Sequence, residues 1–412
     1  MPRALAMPKI SSQTDVVTTL RKLVAYCQAH DWAGWDPYDA LNSRLFQAVP
    51  LLNSRIPQIA LTQALKRSPV NLRSLLLIPK KQNPKALALF LSAFVKLTDE
   101  QLPGREALVQ HMIDRLIALR SPDNPHWSWG YSFAWQTRTI VVPTGYPNLV
   151  CTTFVADGLL DAYDRSGDAR CLKMAISAAE YIRDVLYWED GELAGFSYPL
   201  PGLRGTTHNA NLMAGALLCR AYNHTGEKSF LPPAFRVARY SAARQRPDGS
   251  WWYGEAPTQH WIDNFHTGYN LAALRAMGRY AETDEFEAGL RRGFDFYLKN
   301  FFRPDGAAKY FHNNAYPLDI HCVAQSIITL LDFQDLDPSS VEQAHRVYDW
   351  AKRHMWDERG YFYYRMLRLL TIRTPYMRWS EAWMVLALST LLRDMDSPAQ
   401  VSASPEATLA KV

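Results

Sequence analysis

The stretch from Asp248 to Asn270, DGSWWYGEAPTQHWIDNFHTGYN, concentrates side chains able to do chemistry. It carries the carboxylates Glu255 and Asp263, the histidines His260 and His266, Asn264, and large aromatic rings that include Trp252. Asp263 and His266 stand three residues apart where a helical pattern begins, a spacing that places both side chains on one helical face. A carboxylate so placed fixes the tautomer of an imidazole working as general acid or base. Asp is also a preferred N-cap residue, so capping is the structural role that competes. The pattern returns at Asp319 and His321, and a third carboxylate, Glu381, lies in RWSEAW, spaced from Arg378 so that a local ion pair is open to it.

Two chemistries fit this inventory. Glycoside hydrolysis needs a proton donor and a second carboxylate across a groove, and Asp39, Glu255, Asp263, Asp319 and Glu381 are candidates. Uronate epimerisation or β-elimination needs a cation or amide to neutralise the sugar carboxylate, a base for the C5 proton and an acid on the far face. His208, Asn209, Asn264, His266, Tyr310, His312, Tyr316, His321, Arg138 and Arg378 can supply those roles. The catalytic expectation rests on Asp263, His266, Asp319, His321 and Glu381. Trp129, Gln136, Trp252, Glu255, Tyr376 and Trp379 join the polar set as expected substrate contacts. His208, His266 and His321 stand on three successive units, yet no HxH, HExxH or paired cysteines accompany them, so no metal is expected. GxGxxG and Walker patterns are absent, and no cofactor is expected.

The elements that position these groups read as helices throughout. Amphipathic, charged segments (16–29, 104–119, 168–186, 234–244, 285–301, 341–354) alternate with nearly all-apolar ones such as CTTFVADGLLDAY, ANLMAGALLCRAY, CVAQSIITLLDF and AWMVLALSTLL. Each apolar segment follows a long polar, aromatic loop. With Asn148, His208, His266, His321 and Trp379 as equivalent marks, the repeat is about 55 to 60 residues. An amphipathic helix can face water, whereas an all-apolar one must be buried. The expectation is an all-α (α/α) toroid of six to seven helical hairpins, small-residue helices inside and charged helices outside. All long loops then gather on one rim, where the N-termini of the inner helices favour anionic groups. His30, His111, His224, His345 and His354 fall elsewhere and read as structural or surface residues. One domain is expected over 1–397, with a disordered tail over 398–412.

Composition narrows the class. The chain has 412 residues, 48% hydrophobic and 21% charged, with 13 Trp, 21 Tyr and a formal net charge of +5. Charges are scattered rather than blocked, so nucleic acid is not an expected partner. The five cysteines lie far apart without a CxxC pair, which points to reduced thiols. No stretch reaches the roughly 20 apolar residues of a membrane span, and the N-terminus lacks a secretory pattern, so a cytoplasmic location is expected. Aromatic rings in a polar groove suit the apolar faces of sugars.

The strings WGYSFAWQTR, QRPDGSWWYGEAPTQHWIDNFHTGYNL, YPLDIHCVAQSIITL and RTPYMRWSEAWM, with GWDPYDALNS and NLRSLLLIPKKQNPKALALFLSAF earlier, resemble six-hairpin-glycosidase-like proteins that accompany bacterial exopolysaccharide and O-antigen genes. That resemblance implies an oligo- or polysaccharide substrate in surface-polysaccharide assembly. Hydrolysis comes first among the implied activities, with epimerase or lyase chemistry next and a non-catalytic glycan-binding scaffold as the alternative class. QRPDGSWW is also similar to the QxxDGSW repeat of squalene and hopene cyclases, but no DxDD follows. The nearest acidic cluster, Asp332, Asp335 and Asp337, falls on the rim opposite the long loops.

Overall fold

The computed structural model describes residues 12–52, 54–137 and 139–396, so the tail over 398–412 and Arg138 lie outside the described residues. Six helices form a closed inner ring: α4 (Pro84–Phe94), α6 (Leu149–Ser166), α8 (His208–Thr225), α10 (Asn264–Tyr280), α12 (Ile320–Asp332) and α14 (Ala382–Met395). Each packs on the next, and α14 packs back on α4. Outside them lie α1 (Gln13–Ala29), α5 (Arg105–Ala118), α7 (Ala169–Tyr181), α9 (Leu231–Ala242), α11 (Glu287–Asn300) and α13 (Ser339–His354). The architecture is the expected all-α toroid, with six inner and six outer helices among the described residues.

The pairing within it differs from the unit read in the sequence. Each inner helix packs chiefly on the outer helix that follows it through a short turn, and α14 completes the circle against α1, the first helix of the chain. Short turns hold their partners close, while long loops leave the preceding helix free to sit one position around the ring.

Local sequence sets the inner helices. Asn83, Asn148, Asp263 and Asp319 each cap one, accepting a backbone N–H of the first turn. Gly167 and Gly226, at φ 72° and 70°, end α6 and α8 in the left-handed conformation that glycine adopts without strain. Small residues let the ring close: a Cβ on Gly268 would stand 2.8 Å from Gln325 and Thr329 on α12. All eleven residues of α4 are buried.

The described strands are two to four residues long and sit in the loops. Two rim insertions are larger. The first, 33–82, carries a 3-10 turn (Asp39–Asn42), α2 (Arg44–Gln47) and α3 (Arg55–Arg67) around a small core of Ala40, Leu65 and Ile78. The second, between α13 and α14, forms a hairpin of Arg365–Met366 with Thr371–Ile372 that pairs with Leu318–Asp319. Since α4 and α14 adjoin, the insertions lie side by side, joined by a bridge between Trp35 and Tyr376. No described helix is long and apolar enough to cross a membrane.

Candidate active site

At the start of α10, Asp263 does two jobs at once. Its Oδ1 accepts the backbone N–H of His266 at 3.0 Å, capping the helix, while Oδ2 lies 2.7 Å from His266 Nδ1 and accepts the indole N–H of Trp261 at 3.1 Å. The carboxylate is 1% exposed and the imidazole 21%. Rings of Phe265 and Tyr253 stand 4.1 and 4.6 Å from that imidazole and hold its plane. With Nδ1 committed to the carboxylate, Nε2 is the nitrogen available to a ligand.

The second pair is built differently. Asp319 also caps its helix, with Oδ1 accepting from His321 N–H and from the Trp379 indole, each at 2.9 Å, and Oδ2 accepting from Arg365 Nε at 2.7 Å. It never touches the imidazole of His321. That ring is buried between Phe265 and Trp383, both centred 4.5 Å away, and its Nε2 lies 2.6 Å from the Tyr269 hydroxyl. Burial, with Lys85 and Arg378 nearby, holds its pKa well below the ordinary value, so His321 is a neutral ring inside an aromatic stack.

The other carboxylates are enclosed. Glu381 is fully buried, accepts Phe362 N–H at 3.0 Å through Oε2, and has no partner for Oε1. It lines a small crevice with Tyr26 of α1 and His30, the residue that ends that helix, on the outer side of the ring. Burial raises its pKa well above the carboxylate range. Asp39 is bound to Arg73 Nε at 2.8 Å, and burial, partly offset by that guanidinium, brings its pKa to about 6. Arg378 does not pair with Glu381: it is buried and takes Asp36 in a two-point contact.

A second histidine–carboxylate pair faces the same rim. Glu255 Oε1 lies 2.7 Å from Nε2 of the buried His208, whose Nδ1 is 3.1 Å from Ser241 Oγ. The bond to His208, with Arg244 close by, holds the Glu255 carboxyl below its ordinary value. His208 N–H donates to the carbonyl of Tyr253, the same Tyr253 whose ring meets His266, so the two pairs share a wall. Asn209, beside them, is buried with Oδ1 unpartnered.

Next to this wall Trp252 stacks on His260 at 3.7 Å and, with Arg246, Phe311 and His312, lines a groove of about 340 Å³. Tyr310 is half-buried under the Arg365 guanidinium, and Tyr316 is exposed beside Arg303. Other expected contacts are turned elsewhere. Trp129 is fully buried and donates to Leu116 O, and Gln136 holds its own loop through Thr137 O and Ile140 O. Asn264 is spent on Ser326 and Tyr297, while Tyr376 and Trp379 are buried in the packing. Sequence inspection missed Arg365 and Tyr38. Arg365 is one of five arginines between Arg359 and Ser380, a stretch without acids and so a legible signal. Tyr38, packed 5.6 Å from Trp379, carried none.

A layer of aromatic rings closes the barrel below the site. Phe154, Tyr269 and Trp383 meet one another at 5.5 to 5.9 Å, and the buried Lys85 places Nζ 3.8 Å from the Phe154 ring centre. Beyond this layer a cavity of about 780 Å³ opens at the opposite end, among the C-terminal halves of the inner helices. Several of its charged groups are engaged: Arg220 with Asp157, Asp161 and Asp164, and Arg275 with Asp335. Long loops thus mark the rim that bears the histidines, not the wider opening. Among the described residues no three His, Cys, Asp or Glu side chains converge as a metal-binding group.

The ring of six inner and six outer helices defines an (α/α)6 toroid. No protein-family model matches the chain, and no curated protein matches it in sequence. Solved structures share its fold. Cellobiose 2-epimerase from Bacillus thermoamylovorans superposes with a TM-score of 0.58 at 13% identity, covering 76% of this chain and 89% of its own. Unsaturated glucuronyl hydrolase from Streptococcus agalactiae gives 0.59 at 10%, covering 93% of each chain. A GH76 α-mannanase of Bacteroides thetaiotaomicron gives 0.57 at 13%, covering 75% and 85%.

Proposed function

We propose that this chain is a carbohydrate-active enzyme that moves a proton on a sugar, in the manner of an epimerase or a lyase, with His266 as general acid or base. The observation that carries this is the Asp263–His266 pair: of the expected catalytic groups, His266 alone is both oriented by a carboxylate and open to the rim. Hydrolysis asks for two carboxylates about 5 to 9.5 Å apart, facing an open cleft. Asp319, Glu381 and Asp39 are buried and bound to partners, which weighs against it.

In this scheme Nε2 of His266 removes the proton from the carbon next to a sugar carbonyl or carboxylate, and Asp263 steadies the imidazolium that forms. The electron pair moves onto the carbonyl oxygen, toward the positive charge of Arg365 at the same rim. Return of a proton to the opposite face, passed from His208 through the partly exposed Glu255 carboxylate, completes an epimerisation. Loss of the group on the next carbon instead completes an elimination. The fold shared with a cellobiose epimerase is compatible with this reaction. Glu255, partly exposed, keeps hydrolysis as the second reading, a chemistry that the named glucuronyl hydrolase and mannanase share. The cellular setting we propose is surface-polysaccharide assembly.

The test is incubation in D2O with reducing disaccharides and with saturated and unsaturated uronic-acid oligosaccharides. Carbon-bound deuterium without new reducing ends, for an epimerisation, or ultraviolet absorbance of a new double bond together with new reducing ends, for an elimination, is the expected result. New reducing ends with neither deuterium uptake nor a new double bond would establish hydrolysis instead. Binding with no turnover in any channel would favour a glycan-binding scaffold.

A further inference from the structure

The two rim insertions share a composition unlike the rest of the chain. From Ala40 to Gln82 there are seven Lys and Arg and no Asp or Glu, and from Arg359 to Ser380 there are five Arg and again no acid. The chain as a whole is only +5, so the sequence outside these two stretches is net acidic. Arg44, Arg55, Arg67, Lys80, Lys81, Arg368 and Arg373 are exposed, and none forms an ion pair with another described residue.

The same insertions hold most of the exposed aliphatic surface. Among the described residues, eight of the sixteen large exposed hydrophobic ones lie between Leu45 and Leu77, and two more, Leu369 and Leu370, form the tip of the 365–372 hairpin. Leu51 is 89% exposed, Ile56 79%, Leu75 72% and Leu369 93%. A soluble surface rarely gathers aliphatic side chains in this way without a partner. Both insertions rise from adjoining inner helices and are fastened together by Asp36–Arg378, the Trp35–Tyr376 bridge and Arg73 over the Tyr376 ring, so their exposed residues share one end of the toroid.

We propose that this rim docks on an anionic lipid bilayer, with the leucine-bearing loops entering the headgroup layer and the cations meeting acidic headgroups. Interleaved aliphatic and basic side chains, with no acid over 40–82 or 359–380, are the composition that binds such a surface from one side. Nucleic acid would use the cations but has no use for the aliphatic tips. Docking turns the rim that bears His266 toward the bilayer, yet it stands independently of the catalytic proposal.

The full chain is sedimented with vesicles of phosphatidylglycerol mixed with phosphatidylcholine and with vesicles of phosphatidylcholine alone. Retention on the mixed vesicles that falls as salt rises is expected. Arg55→Glu with Arg368→Glu should weaken it at least about 25-fold, since each lost cation is worth roughly fivefold near such a surface. Leu51→Ser with Leu369→Ser should weaken it about tenfold or more, with melting unchanged because both side chains lie in solvent. No retention at low salt, equal retention on neutral vesicles, or retention untouched by the leucine changes would each overturn the proposal. So would a dimer in light scattering that the leucine changes dissolve, which would assign the patch to a second copy of this chain.

Discussion

Arg378 donates Nε and Nη2 to the two oxygens of Asp36, at 2.6 and 2.9 Å, with both side chains buried and the two residues 342 positions apart in the chain. The pair ties the first rim insertion to the residues that lead into α14, where the ring closes. Breaking a buried pair strands a charge, at a cost of about 3 to 5 kcal/mol. Arg378→Met should therefore lower stability in urea by that amount, and adding Asp36→Asn should restore a large part. A single-variant loss below about 1 kcal/mol would show that the contact does not fasten the insertion.

Asp263 and His266 allow a cleaner separation of roles. Asn caps helices about as well as Asp, so Asp263→Asn keeps the N-terminus of α10 intact while removing the negative charge beside His266 Nδ1. It should melt within a few degrees of the parent. His266→Gln should do the same, since the ring is partly exposed. Each should cost roughly a hundredfold or more in turnover. Activity retained per folded molecule, with a large melting shift, would make the pair structural.

Much of this was legible in the sequence. Alternation of charged and apolar helices, each apolar one behind a long loop, marked the ring, and a spacing of three placed Asp263 under His266. The closure was not visible, because α14 finds its outer partner in α1 at the far end of the chain. Nor was the enclosure of Asp319, because Arg365 reaches it from a hairpin 46 residues on. Glu381 read as a groove residue, but it leads into α14 in a wider helical turn (Met377–Glu381) and faces α1. Local patterns report which face is apolar; they do not report which side chains another loop will cover.

Glu381 gives a pH signature with a defined sign. Burial raises its folded pKa well above 4.5. Below 4.5 both states hold the proton and nothing is lost, whereas above it the unfolded chain ionises and the folded one does not. Stability should fall as pH rises from 4.5 toward the folded pKa, by about 1.4 kcal/mol per unit for this one group. Glu381→Gln keeps an acceptor for Phe362 N–H and removes the slope, so it should melt higher than the parent at neutral pH. A variant that melts lower there would mean that Glu381 is ionised and held by the fold.

Lys85 carries the opposite slope. Its ammonium has three aromatic rings around it and no carboxylate partner, and burial first, then Arg378, depress its pKa well below 10.5. Between the folded pKa and 10.5 the unfolded chain binds a proton that the folded chain does not, so stability rises with pH through that window at about 1.4 kcal/mol per unit. Lys85→Met, similar in length and apolar, should raise the neutral-pH melting temperature and remove the rise. The two groups then unmask each other: Glu381→Gln alone leaves the rising slope, Lys85→Met alone leaves the falling one, and the double variant is flatter than either. Melting temperature followed from pH 5 to 10 in the four proteins checks this, and a Lys85→Met variant less stable than the parent across that range would show that the ammonium is held charged by its rings.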